Sequence, residues 1–375
     1  MALDFCIWAS RQLPVTDGEV LPYIQKRCPG FEPTGPPERL PGGHLNVVWR
    51  VPGTARSLIV KYAPPYIAAD PDTPLDPSRL LIEARCLKAL SPDGGLANIT
   101  ESAVRAPHPV DVNEEGPVLV TEDIGDVPSL DAWLRAAGGQ SRAADAAAQG
   151  RRLGRFIGRL HATTCNDDRY AEPFDNRSMQ ETRLAVQYRG VTEMLRTGGV
   201  EDAEALGNRA KSLGQELLEP GRCLTMGDLW PPSVLVEEEG PNLSGLRLID
   251  WELAHYGRPL QDVTHWCAHL WMQQHRAPSE PVAEAVTAHR TAFLTAYSDA
   301  LGDAGAVLWT DAERWDAAVH FGAEILVRAV GPFQEGYVYA GLAPGHPAVQ
   351  EAMTTAAAHL RFPRDADTSL PRLGR

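Results

Sequence analysis

The chain has 375 residues, with 35 Lys and Arg against 49 Asp and Glu and a formal net charge of −14. That balance excludes the broad basic footprint of a nucleic-acid binder, and no apolar run is long enough to span a bilayer. With 43% hydrophobic and 22% charged residues it is an ordinary globular composition, long enough for two lobes.

The start, Met1-Ala2-Leu3-Asp4-Phe5-Cys6, has no basic segment followed by an apolar core, so no secretory signal is read and a cytoplasmic location is expected. Six cysteines are scattered without paired spacing, as expected of reduced, mostly packed thiols. Val47–Val51 and Ser57–Tyr62 are β-rich runs joined by Pro52-Gly53-Thr54-Ala55-Arg56, which predicts a hairpin. The stretch Ala69–Pro77 is so rich in Pro and Asp that neither helix nor ladder is expected. Ser78 is placed to cap a helix carrying Leu81, Ala84, Cys86 and Leu87. Strands then follow over Val104–Val112 and Pro117–Thr121, turning at Asn113–Gly116.

From about Ser129 the pattern becomes helical. Leu153, Phe156, Ile157 and Leu160 recur at i, i+3, i+4, i+7 and define one apolar face. Val286, Phe293, Leu294 and Tyr297 predict another helix, and Ala317–Val330 is apolar nearly all round, as a central buried helix would be. A second hairpin interrupts this half, over Ser233–Val236 and Leu246–Asp250.

A Gly-Gly turn before a strand, a Lys in that sheet, a Glu on the next helix and two carboxylates flanking a later hairpin suit phosphoryl transfer. That reaction needs a phosphate cradle, a cation on the α/β oxygens, metal ligands and a base for the acceptor hydroxyl. Gly42-Gly43-His44-Leu45-Asn46 is the cradle, because glycines let backbone N–H groups approach phosphate oxygens. Lys61 is the cation and Glu83 its partner. Asp228, after Gly227, is the base. Ser233, five residues on, and Asp250, where an apolar strand ends, offer the hard oxygens that Mg²⁺ prefers.

These segments resemble the aminoglycoside phosphotransferase/choline kinase superfamily, small-molecule kinases with a protein-kinase-like fold. The resembling stretches are Leu40–Arg50, Leu58–Lys61, Met226-Gly227-Asp228-Leu229-Trp230 and Ile249–Gly257. Within the superfamily the likeness is nearest to methylthioribose kinase and a fungal 4-hydroxytryptamine kinase. The resemblance implies ATP in a cleft between lobes, Asp228 as base, Asp250 with Glu252 on Mg²⁺, and Glu122-Asp123-Ile124 as a hinge meeting adenine, so that Glu122 and Ile124 join the nucleotide site. Asp262 matches a structural Asp. Met226 stands where most relatives carry His, and Ser233 where most carry Asn.

The expected fold is α+β and two-lobed: an extension over residues 1–37, a β-rich N-lobe over 38–124, a mainly helical C-lobe over 125–363 and a tail over 364–375. The expected function is transfer of the ATP γ-phosphoryl group, with Mg²⁺, to a hydroxyl of a small metabolite, here a hydroxylated amine. A methylthioribose-type sugar kinase and a catalytically silent pseudokinase are the alternatives; neither nucleic acid nor membrane is an expected partner. Trp230, Trp251, Trp266, Trp271 and the pair Glu324/Arg328 are candidates for the acceptor pocket.

Overall fold

The computed structural model describes residues 16–41, 45–136, 142–239 and 242–364. Two compact units emerge: one holds the chain up to Gly94 together with Ala106–Asp126, the other Gly95–Arg105 and everything from Val127. The fold is α+β.

In the first unit a helix α1 (Asp17–Arg27) precedes strands β1 (Glu38–Arg39), β2 (Val47–Val51), β3 (Leu58–Tyr62), β4 (Tyr66–Ile67) and β5 (Asp70–Pro74), then helix α2 (Arg79–Leu90). After β6 (Val104–Arg105), which belongs to the other unit, come β7 (Pro109–Asn113) and β8 (Val118–Glu122). The main sheet runs β1-β2-β3-β8-β7, all antiparallel, with β2 and β3 forming the expected hairpin. Val20 and Ile24 of α1 pack on Trp49, Val51, Leu58, Val60, Val118 and Val120, so α1 is part of this unit's core. Trp49 donates from Nε1 to Asp17 Oδ1 at 2.7 Å, and Arg27 reaches Asp111 at 2.9 Å, fixing both ends of the helix.

Three expectations need correction here. Asp70–Pro74 does form a ladder, an exposed one with β4, because an edge strand tolerates proline where a central one does not. Ser78 is itself helical and does not cap α2; Asp76 Oδ1 accepts from the Ser78 N–H at 2.9 Å instead. The run Val104–Val112 is two strands in two sheets, since Pro107 and Pro109 interrupt any continuous ladder.

The second unit is mainly helical: α3 (Leu130–Arg135), α4 (Ala143–Thr163), α5 (Arg177–Arg183), α6 (Val191–Thr197), α7 (Ala203–Glu216), α8 (Leu260–His275), α9 (Glu280–Leu301), α10 (Ala304–Leu308), α11 (Asp311–Ala329) and α12 (Pro347–Arg361). Its strands are β9 (Cys223–Thr225), β10 (Val234–Glu239), β11 (Asn242–Leu248) and β12 (His255–Gly257). The apolar face of α4 is fully buried, and α9 approaches so closely that a Cβ on Gly154 would stand 2.1 Å from the Phe293 carbonyl oxygen. Helix α11 is buried along nearly all of Ala317–Ala329, as its composition predicts. Cys28, Cys86, Cys223 and Cys267 are buried thiols outside any disulfide and Cys165 is partly buried; Cys6 lies outside the described residues. Among the described residues no helix is long and apolar enough to cross a membrane.

Candidate active site

In the first unit, period-two alternation along β3 sends Leu58 and Val60 into the core and turns Ile59 and Lys61 to the other face. There Lys61 Nζ meets Glu83 Oε1 at 2.8 Å, with both side chains nearly buried. Strand and helix thus hold one ammonium in place. Gly42 and Gly43 lie outside the described residues. Asn46 is buried, and its Oδ1 accepts from Arg79 Nη2 at 3.0 Å, while the same nitrogen donates to the Leu45 carbonyl at 2.9 Å. Arg79, fully buried and passed over in sequence, therefore ties the segment after the glycines to α2. Glu122 Oε1 accepts from the His108 N–H at 2.8 Å, and Ile124 follows in irregular chain.

In the second unit topology brings the acids together. Antiparallel pairs β9–β12 and β10–β11 place the loop from Met226 to Ser233 beside the loop from Ile249 to Ala254. The Ile249 N–H donates to the Ser233 carbonyl at 2.9 Å, linking the two. Gly227 sits at φ +81° with its α-carbon facing Leu253, where a Cβ would fall 2.2 Å from the carbonyl oxygen. Gly227→Ala combines that clash with left-handed strain of about 1–2 kcal/mol. The variant is expected to denature well below the parent in urea; an unchanged midpoint would remove the close approach from the account.

Asp262, the first acid of α8, is fully buried and accepts the N–H of Met226 at 2.9 Å and of Gly227 at 2.8 Å. His161 supports it at 3.0 Å, and Tyr297 supports His161 at 2.9 Å. The loop is held through its main chain, in the structural role expected of Asp262.

Asp228 projects from this loop with a quarter of its side chain exposed. Its Oδ1 lies 3.0 Å from Arg183 Nη2 and 3.2 Å from His265 Nε2. Burial alone would raise its pKa, but the His265 contact and the charges of Arg183 and Arg328 outweigh it and hold the carboxyl at about 2. Arg183 ends α5, forty-five residues upstream, and no motif in the sequence announces it. His265 and His269, four apart on α8, are a sequence sign of the cluster around Asp228.

Asp250 follows β11 in the left-handed region, φ 65° and ψ 58°, and opens the 3₁₀ turn Trp251–Leu253. Non-glycine residues rarely sit there, and Asp is among those that tolerate it. Glu252 is nearly buried, its carbonyl fixed by Asn176 Nδ2 at 2.9 Å. Ser233 Oγ donates to the Trp230 carbonyl at 2.9 Å. Two carboxylates and a hydroxyl on joined loops are a hard oxygen donor set, which fits Mg²⁺.

Of the expected pocket residues, Trp251 and Trp266 are fully buried core aromatics. Trp271 stacks on His275 and lines a cavity of about 440 Å³ with Glu351 and Thr354, apart from the loops just described. Trp230 does stand on the loop that carries Asp228, with the Arg328 guanidinium 4.7 Å from its ring centroid. Glu324 and Arg328 form the expected i,i+4 ion pair at 2.9 Å.

Residues 37–308 match the model of the phosphotransferase enzyme family, APH, and the chain belongs to that family. It is similar to 4-hydroxytryptamine kinase of Psilocybe cyanescens, 27% identical over 80% of this chain and 87% of that one, and to the Psilocybe cubensis enzyme, 26% identical over the same shares. Among solved structures, a Ralstonia eutropha protein assigned as an aminoglycoside phosphotransferase covers 94% of this chain and 99% of its own, at TM-score 0.56 and 15% identity. An amicoumacin kinase, solved in complex with AMP-PNP, Ca²⁺ and Ami, covers 95% of this chain and 98% of its own at TM-score 0.50 and 15% identity. The fold is that of the kinase-like phosphotransferases, and the protein is a small-molecule kinase.

Proposed function

We propose that this kinase moves the γ-phosphoryl group of ATP to a hydroxyl of a small amine-bearing metabolite. The observation that carries the reading is the placement of Asp228: an ionised, partly exposed carboxylate on a main-chain-clamped loop, next to the loop of Asp250 and Glu252. The likeness to 4-hydroxytryptamine kinases over most of both chains supports a hydroxylated amine as acceptor.

Phosphoryl transfer leaves little covalent work to the protein. Asp228 orients the acceptor hydroxyl and takes its proton as the new O–P bond forms and the bond to the leaving ADP breaks. Lys61, held by Glu83, supplies a fixed positive charge for the α/β-phosphate oxygens. Asp250 and Glu252, with Ser233, are the residues to hold Mg²⁺, which when bound neutralises phosphate charge. The intact Lys61–Glu83 pair speaks against a silent pseudokinase.

The test is ADP release over an acceptor panel: hydroxyindole amines, amino alcohols, aminoglycosides and methylthioribose. Turnover with hydroxylated amines and none with methylthioribose supports the reading. Turnover with methylthioribose alone makes this a sugar kinase, and no ADP release with any acceptor removes the activity.

Ser233 offers one neutral oxygen, and Mg²⁺ readily keeps water in place of such a ligand. Ser233→Ala is therefore expected to raise the free Mg²⁺ needed for half-maximal rate by a few-fold, and Ser233→Asn to stay active. A dead Ser233→Ala enzyme that still folds would put the hydroxyl at the centre of the metal site.

A further inference from the structure

Helices α8 and α11 bring three more ligating side chains together beside the base. His265 and His269, one turn apart, lie on the same face of α8, and Glu324 meets them from α11. All three are at least 98% buried. His265 Nδ1 is 3.6 Å and His269 Nε2 3.0 Å from the Glu324 carboxylate, and one ligand atom from each residue lies within 4.8 Å of the other two. Neither ring is aligned for a hydrogen bond, so all four ring nitrogens are buried without one. Orphaned polar atoms at this depth are costly and call for an explanation.

We propose that His265, His269 and Glu324 form a binding site for a transition-metal dication of the Zn²⁺ class, distinct from the Mg²⁺ site assigned to Asp250 and Glu252. Ligands about 2.0–2.1 Å from a tetrahedral zinc lie about 3.3 Å from one another, a spacing that the 3.6 and 3.0 Å approaches of the two imidazoles to Glu324 bracket. Nitrogens at that spacing but misdirected for hydrogen bonds suit a shared central ion better than a direct contact. Two imidazoles and one carboxylate select borderline metals over Mg²⁺ and Ca²⁺ and leave a fourth position for water. Glu324 also accepts from Gln187 Nε2 at 2.9 Å and Arg328 Nε at 2.9 Å, one on each oxygen. A carboxylate has about four acceptor positions, so one on each oxygen remains.

The site connects to the base through one ring. With the metal on Nδ1, the proton of His265 is confined to Nε2, which lies 3.2 Å from Asp228 Oδ1. A carboxylate close to the outer nitrogen of a ligating histidine is a common feature of such sites.

The experiment reads metal, not turnover, so it stands or falls separately from the kinase reading. Full-length protein is stripped with chelator, loaded with Zn²⁺ or Co²⁺ in excess Mg²⁺, desalted and analysed by mass spectrometry and visible absorption. About one Zn²⁺ per chain and the intense visible bands of four-coordinate Co²⁺ are expected. His269→Ala and Glu324→Gln should weaken binding at least ~10-fold, while His275→Ala, on the same helix but outside the trio, should not. Should His269→Ala fail to fold, His269→Asn takes its place. Protein that retains no Zn²⁺, or a folded His269 variant that binds like the parent, overturns the site.

Discussion

Asp228→Asn is expected to cut turnover by about 10²–10⁴-fold while nucleotide affinity stays near that of the parent. The substitution keeps the shape and the Arg183 contact geometry but removes the oxygen charge that takes the acceptor's proton. Single-turnover rates and a separate nucleotide titration distinguish the two effects. The carboxyl's pKa lies below its ordinary value, at about 2, so the ionised form is the one the fold favours. Its stabilising contribution is complete above the ordinary carboxylate range and is lost only as pH falls through about 2. An activity limb between pH 5 and 8 must then arise from another group, and it should persist in the residual activity of the Asn variant. Near-normal turnover in that variant would remove Asp228 from the role of base.

Asp250→Asn is expected to abolish activity at any attainable Mg²⁺ concentration. Asparagine tolerates the left-handed backbone of Asp250 as aspartate does, so the loss reports charge and not strain. Glu252→Gln, which leaves the Asp250 carboxylate in place, should be active but displaced to higher Mg²⁺. Initial rates against free Mg²⁺ for the two variants provide the comparison. If Glu252→Gln tracks the parent curve, Glu252 is a packing residue whose carbonyl anchors Asn176 and nothing more.

The parts of the fold legible in sequence were those with local causes. The β2–β3 hairpin, the amphipathic face of α4 and the buried run in α11 each follow from patterns within one element. The Lys61–Glu83 pair was legible because strand and helix carry recognisable surroundings, although the residues lie twenty-two apart. Local reasoning failed at Ser78, whose side chain caps nothing while Asp76 takes its N–H, and at Val104–Val112, where prolines divide one apolar run between two sheets. It could not reach Arg183 or Arg79 at all. Their partners are fixed by tertiary packing, and a lone arginine in a helix has no pattern that distinguishes a clamp from a solvated side chain. Gly42 and Gly43, the cradle of the sequence reading, lie outside the described residues.

Asp262 grips amides, and amides are common to every residue except proline. Its two oxygens hold the N–H groups of Met226 and Gly227 whatever side chain stands at position 226. Loop geometry is thereby uncoupled from the chemistry of that side chain, which is wholly buried and free to serve packing. Histidine or methionine at 226 would offer the same N–H, so the direction of Asp228 is set by the backbone. Proline alone would be barred, because it has no N–H to offer.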